Sequence, residues 1–198
     1  MKNYLKNRKV LEEGHAYSKS MEHDACGVGL IASTEGKKSR KVVEYGINAL
    51  KAVFHRGAVD ADGKTGDGAG IHLEIPSDFF GEKIELTGHK HDGSEICVGM
   101  IFLPRNNYEA QENARTLVES ELTKSNFSIY EWRQVPVNTI VLGEKANFTR
   151  PEITQVLFKN NDKNLMGKSL ERKIYESRRK IEREAIKNAL EGFYICSL

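Results

Sequence analysis

Apolar residues recur every three to four positions in three segments of this chain, which is the spacing of an amphipathic helix. The first segment is SRKVVEYGINALKAVFHRG, residues 39–57, where Ser39 is placed to cap the helix and Gly57 to end it. The other two segments are residues 106–125 and 169–190. The repeating apolar positions are Val43, Ile47, Leu50 and Phe54, then Ala114, Leu117, Val118 and Leu122, then Leu170, Ile174, Ile181 and Ala185.

Other segments are short and apolar, or alternate between apolar and polar residues, and these patterns predict β-strands. CGVGLIAS, residues 26–33, has the composition of a buried strand, and the alternation of Ile71, Leu73 and Ile75 predicts another. The remaining predicted strands are EICVGMIFLP at 95–104, FSIYEWRQVPVN at 127–138, NTIVLGE at 138–144 and GFYICSL at 192–198. Because helices and strands come in blocks without regular alternation, the pattern favours a layered α+β domain with a largely antiparallel sheet.

The two ends of the chain differ from its middle. Residues 1–22 are charged, have no apolar core, do not form a secretory signal and are predicted to lack regular structure. At the other end, a strand stops in mid-run at Leu198 without a turn or polar tail. We therefore expect the chain to be a fragment of a longer protein.

Composition and net charge indicate which binding partners and which cellular compartment to expect. The net charge of +2 gives no strong attraction to nucleic acid or to a membrane surface. No apolar run approaches the roughly 20 residues that a membrane-spanning helix needs. Tyr130 and Trp132 are predicted to share one strand face and to pack in the core, since acidic residues flank them. The three cysteines are far apart, which is typical of a reducing compartment, so we expect a cytoplasmic protein.

Cys26 is the first candidate for chemistry. A single cysteine is most often a buried and inert thiol. However, Gly27 and Gly29 leave the backbone around the sulfur bare, so another group could approach closely. If residues 1–25 were removed, the new α-amino group, with an ordinary pKa of about 7.7–8.0, could take the thiol proton. Cys26 would then be an amino-terminal nucleophile.

The second candidate is the segment FHRGAVDADGKTGDGAG, residues 54–70. Arg56 lies at the carboxyl end of a predicted helix, where it either compensates the helix dipole or binds a carboxylate through two parallel hydrogen bonds. His55 is a possible base and equally a satisfied helix-end histidine. Gly66–Gly70 lacks the spacing of a nucleotide loop, so it predicts a tight turn whose backbone passes close to another group.

A metal site is not expected. His89, His91 and Cys97 could in principle share a zinc ion, but no fourth ligand lies at a sensible spacing. GHKHDGSE, residues 88–95, is therefore interpreted as a solvated loop.

Together, three motifs resemble one known family. HDACGVGLIA at 23–32, HRGAVDADGKTGDGAGI at 55–71 and IPSDFF at 75–80 are similar to the class II glutamine amidotransferase domain that begins the large subunit of glutamate synthases. The resemblance runs from about residue 23 to the end, and the combination of motifs is highly specific.

This resemblance implies a fold, a site and a reaction. The fold would be the four-layer αββα sandwich of amino-terminal-nucleophile hydrolases, incomplete at its carboxyl end. Residues 1–25 would be a propeptide-like leader, and residues 26–198 the first part of the amidotransferase domain. Cys26 would attack glutamine to form a γ-glutamyl thioester and release ammonia, and Arg56 would lie in the substrate pocket. In the full enzyme the ammonia would aminate 2-oxoglutarate at a distant flavin site.

The resemblance also has gaps. The family's Arg-Phe-Ser-Thr and His-Asn-Gly motifs, which bind substrate and stabilise the oxyanion, do not occur in these 198 residues. We therefore expect the fragment alone to be inactive and to hold no cofactor. FMN, an iron–sulfur cluster and a small reductase subunit are expected to belong to the complete synthase. The alternatives are a non-catalytic module or pseudogene product that keeps the fold, and a self-processing peptidase that cleaves only its own leader.

Overall fold

The computed structural model describes residues 2–13, 27–54 and 57–198. Its chain divides into two compact units, Met1–Val59 with Gly66–Ile71, and Asp60–Thr65 with His72–Leu198. We call these the smaller and the larger unit. The described helices are α1 (Lys2–Glu13), α2 (Arg40–Ala52), α3 (Ser77–Leu86), α4 (Tyr108–Lys124), α5 (Glu144–Thr149) and α6 (Lys168–Lys187), with a 3-10 turn at Thr139–Val141. The described strands are β1 (Ile96–Leu103), β2 (Phe127–Gln134), β3 (Glu152–Asn160) and β4 (Tyr194–Ser197).

The larger unit is built on one antiparallel sheet with the strand order β2-β3-β1-β4. The two central strands pair along their whole length, from Ile96 opposite Lys159 to Leu103 opposite Glu152. Val156, Leu157 and Phe158 of β3 are fully buried in sequence, so both faces of this strand are covered. The α+β class with an antiparallel sheet is therefore confirmed.

Two helices cover one face of this sheet. The predicted stripe of α6 is buried as expected, and Ala114, Val118 and Leu122 of α4 are fully inaccessible to solvent. Asn107 caps α4 by accepting a hydrogen bond from the backbone N–H of Ala110 at 3.0 Å. Cys97, Ile101 and other apolar residues of the sheet complete this core.

The opposite face of the sheet is covered over only part of its area. Phe80 and Ile84 of α3 pack against Ile96, Tyr130 and Leu157. Farther along the same face of β1, Phe102 contacts the ring of Tyr194 at 5.9 Å between ring centroids. Tyr194 is nevertheless 58% exposed, so a large apolar ring at this end of the sheet faces solvent.

A β-bulge in β2 separates two aromatic residues that the sequence pattern places on one face. The pairing with β3 shifts between Ile129 and Glu131. As a result Tyr130 packs with α3, whereas Trp132 packs on the helix side and its indole N–H donates to Glu119 of α4 at 2.6 Å. The prediction that the two rings share one face of the strand was wrong, whereas the predicted packing of both rings in the core is confirmed.

The smaller unit contains α1, α2 and irregular chain. Ser39 caps α2 by accepting a hydrogen bond from the Lys41 N–H at 3.2 Å, as predicted. The helix ends at Ala52, before Gly57, and none of its residues is fully buried. Val28 and Leu30 are 96% and 90% exposed.

Three predicted strands were wrong. Residues 27–33 and 71–75 are irregular, because no described strand lies beside them to accept their backbone hydrogen bonds. Residues 138–144 form the 3-10 turn and the approach to α5, since the Asn138 side chain accepts from the Ile140 N–H and starts a turn. The prediction that residues 1–22 lack regular structure was also wrong in part, because Lys2–Glu13 is helical and rich in residues that favour helices.

No helix in the described part of the chain is long and apolar enough to cross a membrane.

We predict that Gly99→Ala destabilises the larger unit. A Cβ at this position of β1 would lie 2.7 Å from Cγ1 of Val156 and 2.6 Å from Cδ1 of Leu198. Overpacking of this kind costs about 1–3 kcal/mol, which urea unfolding would measure. Gly81→Ala in α3 is the matched control, because its Cβ meets nothing closer than 3.7 Å. A helical Gly→Ala change without a clash is neutral or stabilises by roughly 0.5–1 kcal/mol. Equal stability of Gly99→Ala and the parent chain would contradict the packing described.

Candidate functional site

The predicted nucleophile and its neighbouring arginine, Cys26 and Arg56, lie outside the described residues, as does His55. The flanking residues Gly27, Phe54 and Gly57 are described and define where the chain enters and leaves these positions. The site is therefore built from the segments on either side.

Within the smaller unit, the two candidate segments approach each other. A Cβ built on Gly27 would lie 3.7 Å from both Cβ and Cγ2 of Val53, which is ordinary van der Waals contact. Gly27 directly follows Cys26 in the sequence, and Val53 precedes Arg56 by three residues. The chain on the carboxyl side of the nucleophile position thus packs against the end of α2.

Gly57–Gly70 forms a hairpin-like segment. At its base, the Asp67 carboxylate accepts from the Ala58 N–H at 2.9 Å, and the Asp67 N–H donates to the Ala58 carbonyl at 3.2 Å. Val59 and Gly66 pair as an isolated antiparallel bridge. A Cβ on Gly66 would lie only 2.9 Å from the Ala58 carbonyl oxygen, so this position needs glycine. The predicted close approach of a glycine to neighbouring backbone is therefore confirmed at Gly66. The predicted tight turn at Gly66–Gly70 was wrong, because the chain turns earlier, at residues 61–64.

The tip of this segment, residues 60–65, belongs to the larger unit. Asp62 folds the tip by accepting from the backbone N–H groups of Lys64 and Thr65, at 2.9 and 2.7 Å, and from the Thr65 hydroxyl at 2.6 Å. The Thr65 hydroxyl bond, followed by the two backbone bonds, lowers the pKa of Asp62 from 3.8 to about 2. Sequence reasoning missed this role of the Asp62 side chain, although an Asp side chain commonly accepts from the backbone N–H two residues on, as Asp62 does from Lys64.

In the described loop of residues 88–95, the histidines are not arranged with Cys97 as the zinc site that was considered from the sequence. The Nε2 atom of His91 lies 2.9 Å from the Ser94 carbonyl oxygen, and both His89 and His91 stand edge-on to Tyr130. Cys97 lies in the core beneath the helices, and burial raises the pKa of its thiol to about 12. Among the residues that the structure describes, no group of three potential ligands is placed to hold a metal.

Comparison with known proteins finds one matching family and relatives whose names agree with one another. The family model for class II glutamine amidotransferases matches residues 26–198. The chain is 50% identical over 192 residues to a glutamate synthase [NADPH] large chain of Azospirillum brasilense, covering 97% of this chain and 13% of that protein. It is 38% identical over 177 residues to ferredoxin-dependent glutamate synthase 2 of a Synechocystis species, covering 89% of this chain and 11% of that one. It is 36% identical over 179 residues to the chloroplastic ferredoxin-dependent glutamate synthase of Spinacia oleracea, again with 89% and 11% coverage. The chain thus spans 11–13% of the length of these relatives.

We predict that Thr65→Val raises the pKa of Asp62. Valine keeps the shape of threonine but removes the hydroxyl that contributes most to the lowered pKa of about 2. Because the folded-state pKa lies below its usual value of 3.8, these bonds favour the folded tip above that pH and are lost as the pH falls through about 2. A carbon-13 NMR titration of the Asp62 carboxyl would measure the midpoint in both proteins. Thr65→Ser, which keeps a hydroxyl, should retain the low midpoint, and an unchanged midpoint in Thr65→Val would contradict the assignment.

Proposed function

The chain belongs to the class II glutamine amidotransferases, and on that premise we propose that its site is the glutamine-hydrolysing site of a glutamate synthase. The single observation that carries the residue assignment is the closeness of Gly27 to Val53, since a Cβ built on Gly27 would lie 3.7 Å from the Val53 Cβ. It supports a pocket to which the chain following Cys26 and the chain preceding Arg56 both contribute.

The proposed reaction proceeds in two steps on Cys26. After removal of residues 1–25, the freed α-amino group accepts the thiol proton, and the sulfur bonds to the side-chain amide carbon of glutamine. The C–N bond breaks, and the proton leaves with ammonia. Water then attacks the γ-glutamyl thioester, which gives glutamate and restores the thiol. Arg56 holds the α-carboxylate of glutamine through paired hydrogen bonds during both steps.

The proposed fold of the complete domain is the four-layer αββα sandwich. Two exposed apolar surfaces support it. In the larger unit, one end of the sheet face opposite α4 and α6 leaves Tyr194 exposed, and in the smaller unit Val28 and Leu30 are exposed. A second sheet layer would remove such surface from water, at about 25 cal/mol per Å² of apolar area.

The rest of the proposed enzyme lies in the remainder of a longer polypeptide. There the ammonia would aminate 2-oxoglutarate at a flavin site with an iron–sulfur cluster, with a small reductase subunit as a possible partner. Cys26 is the proposed nucleophile, and Cys97 is buried in the core with a raised pKa, so we place the cluster ligands in the remainder. The 198 residues alone are proposed to be inactive, and the proposed location is the cytoplasm.

We expect Cys26 to react selectively with a glutamine analogue that carries a diazoketone in place of the amide. In the complete synthase polypeptide, peptide mass mapping should find the adduct on Cys26, with Cys26 as the first residue. Cys97 and Cys196 are internal controls, because the first is buried with a raised pKa and the second is exposed without a glutamine pocket. Labelling of Cys196 instead of Cys26 would contradict the proposal.

We further expect Cys26→Ser to lower glutamine-dependent glutamate formation by at least about 10³-fold, since the reaction loses its nucleophile. Activity with free ammonia should persist, because ammonia bypasses the hydrolysis step. Cys196→Ser is the matched control and should keep both activities. Retained glutamine hydrolysis in Cys26→Ser would overturn the proposal, and loss of residues 1–25 without glutamine turnover would support a self-processing peptidase instead.

A further inference from the structure

The outer surface of the layer formed by α4 and α6 carries opposite charge on its two helices. Helix α4 contains four acidic and two basic residues, which gives it a charge of −2. Helix α6 contains eight basic and four acidic residues, which gives it a charge of +4. The two helices contact each other and bury their apolar stripes against the same side of the sheet. A negative strip and a positive strip therefore lie side by side on the larger unit.

Ion pairs within each helix leave this difference in place. On α4, the Arg115 guanidinium lies over the ring of Trp132, 5.9 Å from the ring centroid, and its side chain is only 25% exposed. One of the two cations of α4 is thus largely withdrawn from the surface. On α6, Arg178 and Arg179 share a single carboxylate, that of Glu182. The exposed surface is therefore acidic over α4 and basic over α6.

The two helices run antiparallel. Residues at the start of α4 and residues just beyond the end of α6 line the same cleft, so these two ends are neighbours. Tyr108 at the start of α4 and Ile186 near the end of α6 are both 80% exposed. This end of the layer therefore combines opposite charges with exposed apolar side chains.

A surface with this pattern is complementary to a second copy of itself. Two identical layers can face each other about a two-fold axis that runs along the helices, midway between them, or about an axis that runs across them. The first axis places α4 of each copy on α6 of the other, so unlike charges meet. The second axis places each helix on its own counterpart, so two helices that each carry a charge of +4 meet. Charge complementarity therefore favours the first axis.

The layer is large enough for a weak but specific contact. Helices of 17 and 20 residues are about 25 and 30 Å long, and two of them side by side are about 20 Å wide. Their outer surface covers roughly 500–600 Å² per copy, so a dimer would bury roughly 1,000–1,200 Å² in total, at the lower end of the range for specific interfaces. Association through this surface should therefore be reversible and weakened by salt.

We propose that the outer surface of α4 and α6 is an interface for a second copy of this chain, with α4 of each copy on α6 of the other. Rotation about the first axis leaves positions along the helices unchanged. Glu109 and Glu112 at the start of α4 in one copy therefore lie opposite Arg183 and Lys187 near the end of α6 in the other. The exposed apolar side chains at this end meet in the same arrangement. This interface belongs to the larger unit alone and does not depend on the glutamine-hydrolysing function proposed above.

The test reverses charges in the complete polypeptide that contains this chain and measures association by analytical ultracentrifugation over a range of concentrations. One variant carries Glu109→Lys with Glu112→Lys, and a second carries Arg183→Glu with Lys187→Glu. We expect each variant alone to self-associate at least about 10-fold more weakly than the parent protein, because like charges then face each other. An equimolar mixture of the two variants should associate again, since the reversed α4 of one meets the reversed α6 of the other.

Lys90→Glu is the matched control, because Lys90 is exposed in the loop before β1, outside the helix layer. It should associate as the parent does. Raising the ionic strength from about 0.1 M to about 1 M shortens the screening length from about 10 Å to about 3 Å and should weaken association of the parent. A parent protein that stays monomeric, or reversed variants that associate as the parent does, would overturn the interface.

Cross-linking provides a readout that does not depend on the variants. Carbodiimide treatment of parent protein mixed from nitrogen-14 and nitrogen-15 copies should join α4 peptides of one copy to α6 peptides of the other. Cross-links that join copies only through other segments would overturn the proposal. Loss of association in both variants without recovery in their mixture would overturn the pairing of α4 with α6.

Discussion

The antiparallel pairing of β1 with β3 is the constraint on which the larger unit depends. These central strands are hydrogen-bonded from Ile96 opposite Lys159 to Leu103 opposite Glu152, and apolar side chains cover both of their faces. The register determines which residues face α4 and α6 and which face α3, because successive side chains of a strand point to opposite faces. A slip of one residue would turn Ile101 and Leu103, which are fully buried on the side of α4 and α6, to the opposite face of the sheet. That face is covered over only part of its area, so the packing favours a single register.

Close backbone approach is the second principle of this structure. At Gly66 the hairpin base comes within 2.9 Å of where a Cβ would sit, and at Gly143 the tip of the same segment leaves no space for any side chain. Neither position uses the left-handed conformation that glycine often supplies. Both are instead contact points where one stretch of backbone lies directly against another. Both contacts involve the segment of residues 57–70.

Apolar side chains are covered unevenly in the described residues. The helix-covered side of the sheet is closed, with Val118, Leu122 and Ile181 fully buried. The other side is closed only near α3, and the smaller unit keeps Val28 and Leu30 exposed. A further layer of structure over these side chains would remove their apolar area from water. We therefore interpret these surfaces as the faces on which the remaining layers of the proposed sandwich would pack.

The sequence by itself determined the elements whose signals are local. The apolar stripes predicted α2, α4 and α6, and Ser39 predicted the start of α2. The short strand-like segments predicted β1, β2 and β4, and the block order predicted an antiparallel α+β fold. The motifs around Cys26 and Arg56 led to the family that the comparisons confirm. Tertiary structure alone decided the features that depend on distant partners. Residues 27–33 are irregular, since none of the described strands lies beside them. Strand β3 formed because it pairs on both sides, and the bulge at Ile129 and Glu131 moved Trp132 to the helix side. The contact of Gly143 with the tip at 60–65 was likewise invisible in sequence, because nothing within either segment records that the other will lie against it.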